Sequence, residues 1–251
     1  MNNEFQDLFS NHAKNYATFR PNYPDDLYPY LASQTKEHEQ AWDCATGTGQ
    51  SAIKLADYYK NVFATDASEK QIKNARSKTN VQYRVALADK SGLDSDSIDL
   101  ITVAQALHWF NLETFADEVQ RVLKSQGVLA VWTYNLMLIN PVIDQIIFQL
   151  YSDTLGKYWS FERKLVEQGY QNIDFPLRPV LAPEFSMKKY WDFQQLIGYL
   201  NTWSAVKKYQ QQKNINPVEV IYEQLKAAWC DMTDNRYEVE WPLTVKLWRK
   251  E

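Results

Sequence analysis

Asp43 to Gln50 reads DCATGTGQ, and its two glycines mark the handover from a short apolar strand, Gln40 to Ala45, to a helix. Gly47 and Gly49 permit a tight turn and let the backbone approach a ligand that a Cβ would exclude. The helix after them, Ser51 to Tyr59, has apolar residues at helical spacing and presents free N–H groups at its start. Asp66 closes the next strand candidate, Asn61 to Thr65, where an acid can accept hydrogen bonds from both hydroxyls of an adenosine ribose. GTGQSA also fits the pattern G-x-G-x-x-G/A, so a nicotinamide or flavin dinucleotide competes for this site. Asp43 argues against that competitor. A carboxylate at the strand end repels a pyrophosphate over the turn, whereas it attracts a ligand with ammonium or sulfonium charge. Asp89, after the third strand, is placed to reach an adenine amino group. A lone strand-end Asp is often only a cap or turn former, so the argument rests on the three acids in order.

Outward from the turn, strands and helices alternate. Val81 to Val85 and Ile98 to Val103 are strands, Ser68 to Ser77 is a polar helix with a Ser cap, and Leu112 to Leu123 is an amphipathic helix leading into the strand Gly127 to Trp132. This rhythm predicts an α/β fold with a mostly parallel sheet. After Thr133 helices dominate: Pro141 to Leu155, Glu162 to Tyr170 ending at Gly169, Tyr190 to Tyr209, and Pro217 to Cys230. A broken strand around Asn172 to Phe185 and an alternating one from Tyr237 to Trp248 remain, with Pro242 marking an edge or a bend.

Composition narrows the function classes. The 251 residues carry 45% hydrophobic and 23% charged side chains, ordinary for a chain with a full core, and a net charge of -4. No Lys/Arg run is long enough to track phosphates, which argues against a dedicated nucleic-acid binder. Cys44 and Cys230 form no disulfide framework or metal pattern and fit a reducing compartment. The apolar stretch Leu136 to Leu150 is broken by Asn140, Pro141, Asp144 and Gln145, and MNNEFQDLFS has no basic region followed by an apolar core. The expectation is a cytoplasmic protein without membrane, nucleic-acid or metal partners; its oligomeric state is not readable. Seven of the nine tryptophans lie in the second half, mostly as core, with some free to wall a pocket.

These landmarks resemble the class I S-adenosylmethionine-dependent methyltransferases of the type 11 group. Asp43, Gly47 and Gly49 match the first motif, Asp66 the ribose acid and Asp89 the adenine-side acid, while Asp99 begins the fourth-strand motif. Within the group, YATFRPNYP (16–24), AQALHWF (104–110) and IGYLNTWSAVKKY (197–209) are similar to the trans-aconitate methyltransferase-like branch. The resemblance covers nearly the whole chain. It implies S-adenosylmethionine as cofactor and a Rossmann-like seven-stranded sheet with the last strand antiparallel. It also implies one domain over 1–251: an N-terminal lid arm and first helix (1–38), a cofactor core (39–135), and an acceptor-side helical insert with the final strands (136–251). The cofactor set is then Arg20, Asp43, Ala45, Gly47, Gly49, Asp66, Ala67, Asp89 and Ala104. One departure stands out: Ala45 replaces the first glycine of the family's D-x-G-x-G, so the turn is expected to keep φ < 0 there.

Methyl transfer from a sulfonium is an in-line displacement in which alignment and exclusion of water dominate. A base is needed only for a protonated acceptor; a carboxylate needs none. His108 follows the fourth strand as catalytic base or orienting donor, the alternative being a histidine that pins the loop. Trp109 reads as a pocket wall rather than a solvent-facing residue. Arg20, between Tyr16 and Tyr23 in a proline-stiffened arm, is placed to clamp a carboxylate of cofactor or acceptor. Tyr199 and Trp203, four apart, share a helix face if the helix continues, and with Trp132 they shape the acceptor side or merely pack the insert. The expected reaction is methylation of a small molecule, with O-methylation of a carboxylic acid foremost and quinol-like or amine acceptors open. A NAD(P)-dependent oxidoreductase and a non-catalytic binding protein of the same fold are the alternatives.

Overall fold

A computed structural model describes residues 21–229 and 236–251. Tyr16, Arg20 and Cys230 lie outside the described residues. The chain builds an eight-stranded sheet. Strands β1 (Gln40–Cys44), β2 (Asn61–Asp66), β3 (Val81–Val85), β4 (Ile98–Ala104) and β5 (Leu123–Tyr134) are parallel in the order β3-β2-β1-β4-β5. Beyond β5 runs β8 (Tyr237–Arg249), antiparallel, followed by β6 (Arg178–Val180) and β7 (Phe185–Trp191), both antiparallel to β8.

Side-chain alternation explains why the sheet is covered on both faces. Along β5, Val128, Ala130, Trp132 and Tyr134 enter one core layer, and Leu129 and Val131 enter the other. The second layer is sealed by the helix Leu112–Val122, whose Asn111 cap accepts from the N–H groups of Glu113 and Thr114. It buries Phe115, Val119 and Val122, each fully buried side chain contributing roughly 1.5–3 kcal/mol. The first layer is covered by Leu27–Ser33, Gln50–Leu55 and the helices of the C-terminal half.

The expected seven strands become eight because the penultimate strand is interrupted. Val180 pairs Leu247 and Phe185 pairs Leu243, nearly one frame, but the segment between them contains Pro183 and the exposed Leu181 and forms no ladder. The helix expected from Tyr190 is also corrected: Tyr190 and Trp191 close β7, and the helix Phe193–Leu200 starts only after Asp192, which forms a capping box with Gln195. Tyr199 and Trp203 therefore do not share one continuous helix. The first helix ends at Leu200, and Trp203 caps the next, Ser204–Lys213. Pro242 sits one residue past the last β5 pair, Tyr134–Leu243, and is registered only against Ser186 of β7, so its missing N–H breaks no β5 pair.

Candidate active site

The carboxyl ends of β1 and β2 carry the glycine turn. Ala45 adopts φ 55°, Gly47 57° and Gly49 82°. The expectation of φ < 0 at Ala45 is thus corrected; the left-handed region costs a residue with a Cβ roughly 1–2 kcal/mol. Several bonds enforce it. Thr46 N donates to Thr65 O at 2.9 Å, Thr46 Oγ1 donates to Asp43, and Gly47 N donates to Asp66 Oδ2 at 2.9 Å. The two glycines differ in purpose. A Cβ on Gly47 would meet no atom within 4 Å, so the space over the turn is open, as a cradle for a ligand requires. A Cβ on Gly49 would fall 2.2 Å from the Tyr83 hydroxyl oxygen, so here the absence of a side chain makes room for Tyr83.

Asp66 and Asp43 both grip this turn, in different ways. Asp66 accepts from Gly47 N and, at 2.8 Å, from Ser68 N; a carboxylate offers about four acceptor sites, enough to take nucleoside hydroxyls as well. Asp43 is buried beneath the turn, where Thr46 and Thr102 each donate a hydroxyl to one of its oxygens. Burial pushes its carboxyl up to about 6, with the hydroxyl bonds pulling against that rise. It therefore ties the turn to β4 and places a carboxylate beneath it. Asp89, half-buried, accepts from Thr114 Oγ1 at 3.2 Å, and Ala67 and Ala104 follow Asp66 and end β4 respectively. Open space above Gly47, a ribose-competent acid and buried negative charge suit a nucleoside with a cationic tail.

The described start of the chain reaches the same rim. Asn22 Oδ1 accepts from Gln50 Nε2 at 3.3 Å, and the Tyr23 ring meets Trp132 edge-on at 5.4 Å. Trp132 is fully buried, and its Nε1 has no hydrogen-bond partner among the described residues.

At the ends of β4 and β5 lies a second constellation. Gln105, at φ 55°, joins the two strands: its Nε2 donates to Tyr134 O at 3.1 Å, and its Oε1 accepts from Thr133 Oγ1 at 2.7 Å. The short 3₁₀ turn Leu107–Trp109 then turns Leu107 inward and Trp109 outward. Trp109 is 41% exposed, with its ring 4.7 Å from that of His108. His108 Nδ1 lies 2.9 Å from the Tyr170 hydroxyl. Burial, and secondarily the charge of Arg163, push its imidazole down to about 3. Such a ring is neutral at physiological pH, which suits an orienting group better than a base. Tyr199 and Trp203 are buried in an aromatic cluster: Tyr199 packs against Trp191 and Trp241, Trp203 against Tyr151 and Trp159.

Arg163, Tyr151, Asn135 and Tyr170 escaped the sequence reading. Arg163 donates from Nε to the Tyr151 hydroxyl at 3.0 Å and from Nη2 to Asn135 Oδ1 at 2.7 Å. Only the Gly169-Tyr170 helix end carried any sequence signal, and that signal concerned the fold. Among the described residues, no group of three or more His, Cys, Asp or Glu could hold a metal ion, and no helix is long and apolar enough to cross a membrane.

Known proteins are similar to this chain in sequence and fold. A family model for the methyltransferase domain matches residues 42–131. A Dictyostelium discoideum protein assigned to the methyltransferases is 36% identical over 254 aligned positions, covering 99% of this chain and 97% of that one. A solved structure from Anaeromyxobacter dehalogenans, assigned as a type II methyltransferase, is 35% identical with a TM-score of 0.86, over 92% of this chain and 98% of its own. Another from Bacillus halodurans, 21% identical with a TM-score of 0.52 over 90% and 98%, shares the fold. With the glycine turn, Asp66 and the strand order in place, the nicotinamide alternative loses its support, and the chain belongs to the class I S-adenosylmethionine-dependent methyltransferases.

Proposed function

We propose that the enzyme transfers the methyl group to a small organic acid, at a carboxylate oxygen. The observation that carries this reading is the geometry at the β4–β5 rim: His108 Nδ1 lies 2.9 Å from the Tyr170 hydroxyl, and Arg163, whose charge acts on that ring, is tied to Asn135 and Tyr151. An amine or a hydroxyl must shed a proton, and an imidazole held near 3 is poorly matched to accept it at neutral pH. A carboxylate arrives deprotonated and needs only a counter-charge and alignment. The similarity of 16–24, 104–110 and 197–209 to the trans-aconitate methyltransferase-like branch supports the same class.

S-adenosylmethionine supplies an electrophilic methyl group on a sulfonium. In this reading Asp66 holds its ribose, Asp89 its adenine, and the turn from Ala45 to Gly49 its amino-acid end, with Asp43 countering positive charge from below. Arg20, Tyr16 and Tyr23 are assigned to the cofactor carboxylate and the acceptor, and Trp132 offers its indole N–H from the β5 side. His108 orients the acceptor by a hydrogen bond. Net charge of -4 and the lack of a basic run favour a small-molecule acceptor, and cytoplasmic work, over nucleic acid.

The test is transfer of labelled methyl from S-adenosylmethionine into pooled metabolites, followed by mild base. Methyl esters release the label as methanol. Base-stable label throughout would overturn the carboxylate assignment.

A further inference from the structure

So far Arg163 enters the reaction only as positive charge near His108, and its own surroundings say more. It opens the short helix Arg163–Glu167 and is half-buried. Its guanidinium lies 5.1 Å from the Trp159 ring centre and 5.6 Å from that of Tyr151, so two aromatic faces hold its plane. Tyr151 stands in a five-residue π turn, Leu150–Thr154, continuing the helix Pro141–Gln149; such turns recur at functional sites. The Tyr151 hydroxyl is itself oriented, donating to Glu167 while accepting from Arg163 Nε. Asn135, just past β5, fixes Nη2.

What this scaffold leaves open is the charge. A guanidinium has five N–H donors, and the two bonds to Tyr151 and Asn135 leave both hydrogens of Nη1 and one of Nη2. Ten ion pairs join the described residues, and none includes Arg163; the nearest acid on its own helix, Glu167, is engaged through Tyr151. A half-buried guanidinium without a direct carboxylate partner keeps charge and donors available to an anion. The position is also informative. Asn135 follows the strand that pairs with the end of β4, and the charge of Arg163 is felt at His108, so the guanidinium borders the rim where the acceptor must lie.

We propose that Arg163, held flat by Tyr151 and Trp159 and steadied by Asn135, is the anchor for the acceptor's carboxylate and thereby selects anionic acceptors. This rests on the carboxylate reading given above. The open Nη1 and Nη2 hydrogens form a fork matched to two carboxylate oxygens. For a monoacid the fork holds the reacting group itself; for a polyacid it can hold a second carboxylate and leave another free to attack.

The experiment measures methyl transfer by wild type, Arg163→Met and Arg163→Lys to mono-, di- and tricarboxylic acids of two to six carbons, and to amines and phenols of similar size. Binding of S-adenosylhomocysteine and the melting temperature are recorded for each protein. Arg163→Met should raise the acid's KM ~100-fold, with S-adenosylhomocysteine affinity within about twofold of wild type. Arg163→Lys keeps the charge without the fork and should lie between the two. An acid KM within about threefold of wild type in Arg163→Met overturns the anchor while leaving the carboxylate reading intact. Wild-type transfer to amines or phenols and to no acid overturns both. Should Arg163→Met lose S-adenosylhomocysteine binding or melt early, Arg163→Lys decides. A raised acid KM with unchanged melting and cofactor affinity supports the anchor, and an unchanged KM removes it.

Discussion

The rim at β1–β2 and the rim at β4–β5 lie on the same edge of one sheet but are built by different means. At the first, most of the groups belong to residues 43–68, and main-chain N–H groups fix much of the turn: Gly47 and Ser68 donate to Asp66, and Thr46 to Thr65. At the second, the side chains come from Gln105, His108, Asn135, Tyr151, Arg163 and Tyr170, and they mostly bind one another. A site made by a local backbone path can vary little without losing its ligand. A site made by side chains from distant segments can be re-cut one residue at a time. This is the division expected of an enzyme with a fixed donor and an acceptor that differs among relatives.

Crossed substitutions test that division most strongly. Asp66→Ala removes an acceptor of two backbone N–H groups and of the ribose hydroxyls. S-adenosylhomocysteine should bind ~100-fold more weakly, about 3 kcal/mol, as read by calorimetry. His108→Gln should leave that affinity within about twofold and lower kcat/KM for the acceptor ~10-fold. Because His108 is pushed down to about 3, its ring stays neutral throughout pH 5–8, and the wild-type profile should show no inflection there that the substitution removes. A loss of cofactor affinity in His108→Gln, or such an inflection, would erase the distinction between the two rims.

A smaller effect separates stability from binding within the first rim. The Asp43 carboxyl is raised from 3.8 to about 6 in the fold, so the native state holds a proton in a range where the unfolded chain has released it. Its contribution to stability is fully present below about pH 3.8 and is lost as pH rises through about 6, with a total swing of about 3 kcal/mol. Asp43→Asn cannot titrate. The stability difference, wild type minus Asp43→Asn, should therefore fall by up to about 3 kcal/mol between pH 4 and pH 7 in denaturant titrations. S-adenosylhomocysteine affinity should fall ~10-fold in the same variant, since charge beneath the ligand is lost. A difference that does not change with pH would place Asp43 in a wetter, less strained setting.

The unequal legibility of the two rims has the same origin. Strand candidates and the glycine turn were readable because period-two alternation, Gly47, Gly49 and Asp66 are local signals, and β1 to β5 fall where the pattern placed them. Arg163 and Tyr151 were not, since ERKLVEQGY and the helix ending near Leu155 look like ordinary amphipathic segments until the fold stacks one on the other. The surroundings of Trp109 and Tyr199 are not legible for a related reason: which way an aromatic points depends on the 3₁₀ turn at 107–109 and on the helix end at Leu200, which only tertiary packing sets. The closeness of Tyr83 to Gly49 is likewise invisible in the sequence, because it depends on β3 lying beside β2.

Ala45 gives the smallest and most exacting test, because there the family's glycine is absent while its conformation is kept. At φ 55° the alanine is strained by roughly 1–2 kcal/mol, held by the Asp43–Thr46 and Gly47–Asp66 bonds on either side. Ala45→Gly removes that strain but gives the unfolded chain more freedom to lose, an opposing term of about 0.4–1 kcal/mol. The net gain should be about 0.5–1 kcal/mol, seen as a higher denaturant midpoint at unchanged m-value. S-adenosylhomocysteine affinity should stay within about twofold, because the main-chain path is the same with either residue. Ala45→Val, with branching at the strained centre, should move stability the opposite way. If Ala45→Gly instead weakened cofactor binding several-fold while stabilising the fold, the Cβ of Ala45 would be shaping the cofactor site itself. The first rim would then owe its specificity to a side chain, as the second does.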